Sequence, residues 1–125
     1  MIIEAAKDRG IERIIVTHPF ISAIGMDVAT QKKAAAMGAL LEYPFNATLP
    51  PFGPRANAPM ADHLKAIRDV GPEQVVISSD LGQQGNPVHP DGLITFIQAL
   101  QDGGFTVAEI RTMTQTNPAK FLGLQ

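Results

Sequence analysis

The 125 residues are 45% hydrophobic and 18% charged, with eleven Gly and ten Pro, which describes one folding domain and excludes a disordered chain. Ten Lys and Arg against twelve Asp and Glu leave a net charge of -2, so nucleic acid and anionic membrane surfaces are not expected partners. There is no cysteine, which removes disulfides, thiolate nucleophiles and cysteine metal sites. No apolar run reaches the length of about 20 residues that spans a bilayer, and the opening MIIEAAKDRG lacks the layout of a signal peptide. A cytoplasmic location is the resulting expectation.

In chain order, residues 2–9 read as a helix with Ile2, Ile3 and Ala6 on one side, ended by Gly10. Residues 13–17 (RIIVT) form a run of successive apolar residues, the pattern of a parallel strand covered on both faces. Asp27 is placed to cap a helix over 28–37, closed by Gly38. A second strand, 39–43, runs into Pro44. Residues 45–59 (FNATLPPFGPRANAP) contain Pro50, Pro51, Pro54 and Pro59, and are expected to form an ordered but irregular loop. Met60, Leu64 and Ile67 mark a helix over 60–70, which stops at Gly71-Pro72.

The third strand, 74–79 (QVVISS), delivers Asp80 into a loop, LGQQGNPVHP, after which Asp91 opens an amphipathic helix carrying Leu93, Ile94, Ile97 and Leu100. Thr106 and Glu109 have capping-box spacing ahead of Val107, Ile110 and Met113. Asn117-Pro118 reads as a cap and first residue of a final turn docked by Phe121, Leu122 and Leu124. Residues 8–18 (DRGIERIIVTH) and 69–79 (DVGPEQVVISS) repeat one helix-to-strand entry, as in a βαβ architecture. The fold class is therefore α/β, either as a small open sheet or as part of a (β/α)₈ barrel, since a closed barrel needs about 250 residues.

Chemistry in such folds collects at the C-terminal ends of strands. Asp80 is the leading candidate, since a carboxylate there can ligate a divalent metal or accept a proton from an attacking water. His18, followed by Pro19, offers an imidazole nitrogen to a metal or a developing oxyanion. In the internal repeat His18 aligns with Ser79 and not with Asp80, so the two should face differently unless one strand tip bends. Glu42 is a weaker candidate on the second strand. Gln83, Asn86 and His89 are candidates for substrate contacts from the loop after Asp80, and His63 reads as a surface or boundary residue. Asn46-Ala47-Thr48 fits a glycosylation pattern, but nothing routes the chain to a secretory pathway. There is no G-x-G-x-x-G, no P-loop lysine and no G-x-S-x-G around Ser78-Ser79.

VVISSDLGQQGNP (75–87) followed by DGLITFIQALQDGGFTVAEIRTMTQTNPAKFLGL (91–124) resembles the end of a metal-dependent hydrolase of the amidohydrolase superfamily. It is similar in particular to amidohydrolase-like families close to the phosphotriesterase and TatD-type enzymes. IIVTHP (14–19) resembles the sixth strand of that barrel and LLEYPF (40–45) the seventh. The resemblance implies a partial (β/α)₈ barrel of three parallel βα units, the equivalents of strands six to eight, plus C-terminal helices. It implies that Asp80 binds a divalent metal, zinc first among the options, and handles the proton of the attacking water, and that His18 is a second ligand or approaches the leaving side of the substrate. The paired His-x-His of the first strand and the fourth- and fifth-strand ligands have no counterpart here. Those elements would precede residue 1: Met1 is then internal to a longer frame, or starts a truncated one, or starts a subunit for which a homo-oligomer or a complementary barrel-completing chain supplies them. The implied activity is hydrolysis of a small-molecule ester, amide, lactone or phosphoester. The alternative is a catalytically inactive half-barrel that works as an oligomeric ligand-binding or structural protein.

Overall fold

The computed structural model describes residues 2–21, 23–49 and 58–124. Three short strands, β1 (Ile15–Thr17), β2 (Leu40–Pro44) and β3 (Val75–Ser78), form a parallel sheet in the order β1-β2-β3. The register sets Val16 beside Leu41 and Leu41 beside Val75, and it sets Thr17 beside Glu42 and Glu42 beside Val76. Side chains alternate between the faces of a strand, so the sheet has two distinct faces.

Leu41, Tyr43, Val75 and Ile77 are buried on one face, whereas Leu40, Glu42, Val76 and Ser78 on the other are only partly covered. The helices account for the difference. Asp27 caps α2 (Val28–Ala36) by accepting from the Thr30 amide, as its position in the sequence suggests. Gln31 of α2 is wholly buried and accepts a 2.5 Å hydrogen bond from the Tyr43 hydroxyl. α3 (Met60–Val70) packs Ala66 and Ile67 into the core, and its His63 ring lies beside Tyr43. A monotonic strand order joined by crossovers of the usual right hand places every connecting helix on one face. The burial follows that rule.

Local expectations hold at several places. α3 spans the expected residues, and the Thr106–Glu109 capping box closes reciprocally at the start of α5 (Val107–Arg111). Other expectations need correction. His63 is fully buried, because the 60–70 helix turns that side toward Phe20 and Tyr43. In α1 (Ile2–Lys7) only Ile3 joins the core, while Ile2 is 89% exposed. α4 (His89–Asp102) begins two residues before Asp91, because Pro90 fits the first turn, where no amide donor is needed. His89 is therefore a helix residue and not a loop residue.

Asn117 does not cap a new turn. A π-helical stretch, Thr112–Thr116, joins α5 to α6 (Asn117–Leu122) without a break. The wider turn carries Asn117 inward, where its Nδ2 donates to the carbonyls of Pro72 (2.8 Å) and Val75 (2.7 Å). Leu122 and Leu124 are largely exposed and are not part of the core. Of the irregular 45–59 segment, Phe45–Thr48 is a 3₁₀ turn; residues 50–57, including Pro50, Pro51, Pro54 and Arg55, lie outside the described residues. Among the described residues no helix is long and apolar enough to cross a membrane.

Candidate functional site

The C-terminal ends of the three strands converge on Asp80. β1 ends at Thr17, and the next residue, His18, turns out of the sheet with a φ of 55° while its amide still donates to the Glu42 carbonyl (3.2 Å). Asp80, two residues beyond β3, has a φ of 48°. These left-handed conformations are costly for residues with a Cβ, though Asp bears the cost better than most. The bends bring His18 Nε2 to 3.5 Å from Asp80 Oδ2. The difference in pleat phase suggested by the repeat is thus overcome at the strand tips.

The 3₁₀ turn after β2 adds Asn46. Its backbone amide donates to the Ser79 carbonyl (3.0 Å), and its side-chain Nδ2 donates to Asp80 Oδ2 (3.0 Å). Asn86 Nδ2 donates to Asn46 Oδ1 (3.0 Å) and to Gln83 Oε1 (2.8 Å), and Gln83 Nε2 donates to the Asp80 carbonyl (3.1 Å). His89 Nδ1 pairs with the Ser79 hydroxyl at 2.8 Å, tying the start of α4 to the end of β3.

Glu42 stands apart from this cluster, at mid-strand on the half-open face. There it accepts a 2.5 Å hydrogen bond from the Ser78 hydroxyl. His63 is also separate: its Nδ1 lies 3.2 Å from the Pro59 carbonyl, and its buried Nε2 has no partner among the described residues. A cavity of about 340 Å³ lined by Glu12, Arg13, Glu73, Asn117 and Lys120 sits at the opposite, N-terminal end of the strands.

A family of unknown function (DUF6282) matches residues 1–42 of the chain. That stretch contains His18 and Glu42 but stops short of Asn46 and Asp80. No curated protein matches the chain, and no solved structure does.

Of the residues singled out by sequence, His18, Asp80, Gln83 and Asn86 come together, His89 borders them, and Glu42 does not join them. Asn46 was passed over because the local pattern around it reads only as a glycosylation signal. Its one useful sequence clue is its place two residues after a strand that ends in proline.

His18 Nε2 and Asp80 Oδ2 fit part of a metal shell. Two donors bound to tetrahedral zinc at about 2.1 Å stand about 3.4 Å apart, close to the spacing seen here. A full protein shell takes three or more ligands, and the described residues contain no cluster of three or more His, Cys, Asp or Glu. The pair would supply one edge of such a shell, its other positions falling to water or to donors outside the described residues.

Proposed function

We propose that the chain forms the last three βα units of a (β/α)₈ metal-dependent hydrolase, with His18 and Asp80 holding a divalent ion at the C-terminal mouth. The observation that carries the reading is the 3.5 Å approach of His18 Nε2 to Asp80 Oδ2, both on left-handed backbone just past parallel strands. The strand order β1-β2-β3, with helices on one face and a half-open second face, supports a barrel segment over a doubly wound sheet.

When bound, such an ion acidifies water and polarises a carbonyl or phosphoryl oxygen. Asp80 accepts the proton of the attacking water at a carboxylate oxygen, and His18 binds through Nε2. The substrate class is a small ester, amide, lactone or phosphoester, chosen by loops above the strand ends. The strands that would close the barrel would be supplied from outside residues 1–125.

Zinc titration of the purified chain tests the reading. Zinc should bind weakly at one site, since the pair alone is fewer than the usual three protein ligands, and His18→Ala and Asp80→Asn should each abolish that binding. Equal binding by all three proteins overturns it.

A second reading, an oligomeric ligand-binding half-barrel without catalysis, is favoured by a groove of about 600 Å³ along β1. It is lined by Ile2, Ile3, Ile15, Val16, Ile24 and Met26, and among the described residues β1 is an edge strand. Free edges and apolar grooves both promote association. Sedimentation separates compact monomers from oligomers, and a hydrolase screen with added zinc separates the two readings.

A further inference from the structure

We propose that Asn46 is a positioning residue for Asp80, the first link of a closed amide circuit that begins on the Asp80 carboxylate and ends on the Asp80 carbonyl. This rests on the reading of Asp80 as metal-holding and proton-accepting.

The circuit has one consistent polarity. An ionised carboxylate only accepts, so Asn46 must present Nδ2 to Asp80 Oδ2, at 3.0 Å. That turns Asn46 Oδ1 toward Asn86, which must then donate, at 3.0 Å. The same Asn86 nitrogen donates to Gln83 Oε1 (2.8 Å), leaving Gln83 Nε2 to reach the Asp80 carbonyl (3.1 Å). Both ends of the chain are acceptors, and Asn86, using two hydrogens on one nitrogen, is the donor at its centre. A side-chain amide placed the wrong way round at any link would oppose two acceptors or two donors.

The arrangement answers a structural need. Asp80 is a non-glycine residue at a φ of 48°, and its side chain is 38% exposed, so neither backbone conformation nor packing fixes the carboxylate. The circuit grips both the carboxylate and the carbonyl. Asn46 is itself anchored to the Ser79 carbonyl through its backbone amide (3.0 Å). Gln83 Nε2 is engaged by the Asp80 carbonyl, and Asn86 Nδ2 by Asn46 and Gln83, which assigns these amides to orientation of the carboxylate and not to substrate contact. Partners that orient a metal-binding carboxylate change metal affinity by about 10- to 100-fold when removed.

The diagnostic variants are Asn46→Ala and the near-isosteric Asn86→Asp, which keeps the shape and loses both donors; Asn86→Ala is the reserve if Asn86→Asp fails to fold. Gln84→Ala, on the same loop but outside the circuit, is the control. Two readouts are taken on the full chain. In metal-free protein, Asp80→Ala should shift the side-chain amide resonances of Asn46, Asn86 and Gln83 together. If those of Asn86 and Gln83 stay in place, the circuit is overturned. In zinc titrations, Asn46→Ala and Asn86→Asp should each weaken binding by about 10-fold or more at an unchanged urea midpoint, with Gln84→Ala behaving as wild type. Weakening no greater than in the control overturns the positioning role. A wild-type chain that binds no zinc defeats the metal reading and with it the role of Asn46 toward metal, while the resonance test still decides whether the circuit exists.

Discussion

Among the described residues, His18 and Asp80 are the two non-glycine positions with positive φ, and their side chains meet at 3.5 Å. They are 62 residues apart in the chain and follow strands that do not pair with each other, since β2 lies between β1 and β3. Strained backbone persists only where its surroundings over-determine it, and such positions concentrate at functional sites. Two bends that serve one contact are a stronger indication than either alone.

If the left-handed turn at Asp80 serves the carboxylate, Asp80→Gly and Asp80→Asn should part company. Glycine relieves the conformational cost of about 1 kcal/mol but gives up the Asn46 hydrogen bond. Asparagine tolerates the turn, and its removed charge should lower turnover of a complete enzyme by about 10²-fold. Urea midpoint and turnover measured on both variants check this. Full turnover in Asp80→Asn would exclude a catalytic carboxylate.

Gly92 gives a prediction of unexpected sign. Gly→Ala inside a helix ordinarily stabilises by about 1 kcal/mol. Here a Cβ would fall 2.2 Å from Leu81 Cδ1 and 2.9 Å from Phe45 Cδ1. Overpacking of this kind costs about 1–3 kcal/mol, so Gly92→Ala should lower the melting temperature. It should also disturb Asp80 resonances, because Leu81 is the next residue.

Asn117 should be worth more than an exposed cap. Asn117→Leu leaves the buried carbonyls of Pro72 and Val75 without their side-chain donor. The Pro72 carbonyl keeps the Val75 amide as a donor, so at about 1–3 kcal/mol for a buried group left unsatisfied a loss of about 1–3 kcal/mol is expected in urea unfolding. A change below about 0.5 kcal/mol would show that other donors replace it.

His63 should make the fold acid-sensitive. Burial lowers its pKa, outweighing the Pro59 carbonyl and the nearby Asp62, which raise it. Its unfolded pKa is about 6.5, so as pH falls through that value the unfolded chain takes up a proton that the native chain resists. Stability should be full above about pH 7, should fall below about 6.5, and should level off once the depressed native pKa is passed. Urea midpoints between about pH 7.5 and 5.5 should show this loss in the wild type, and a flatter profile in His63→Phe. Parallel profiles would remove His63 as the cause.

The elements legible from sequence are those whose signals are local. Asp27 reaches the amide three residues on, Thr106 and Glu109 cap each other across one turn, and the runs around Ile15, Leu41 and Val76 are strands because apolar residues follow one another without alternation. The same locality misled at Asn117, where an Asn-Pro pair looks like a cap but a π turn swings the side chain inward. It misled again at His63, whose buried face depends on Phe20 and Tyr43. The candidate site was half visible. His18 and Asp80 could be named from their places after strands, but the sign of φ at a non-glycine residue leaves no mark in the sequence. Asn46 could not be found at all, because its role depends on a partner 34 residues away, brought within reach by the pairing of β2 with β3. Short-range hydrogen bonding and hydrophobic pattern determined the elements. Strand register and two backbone bends, properties of the assembled sheet, decided which side chains meet.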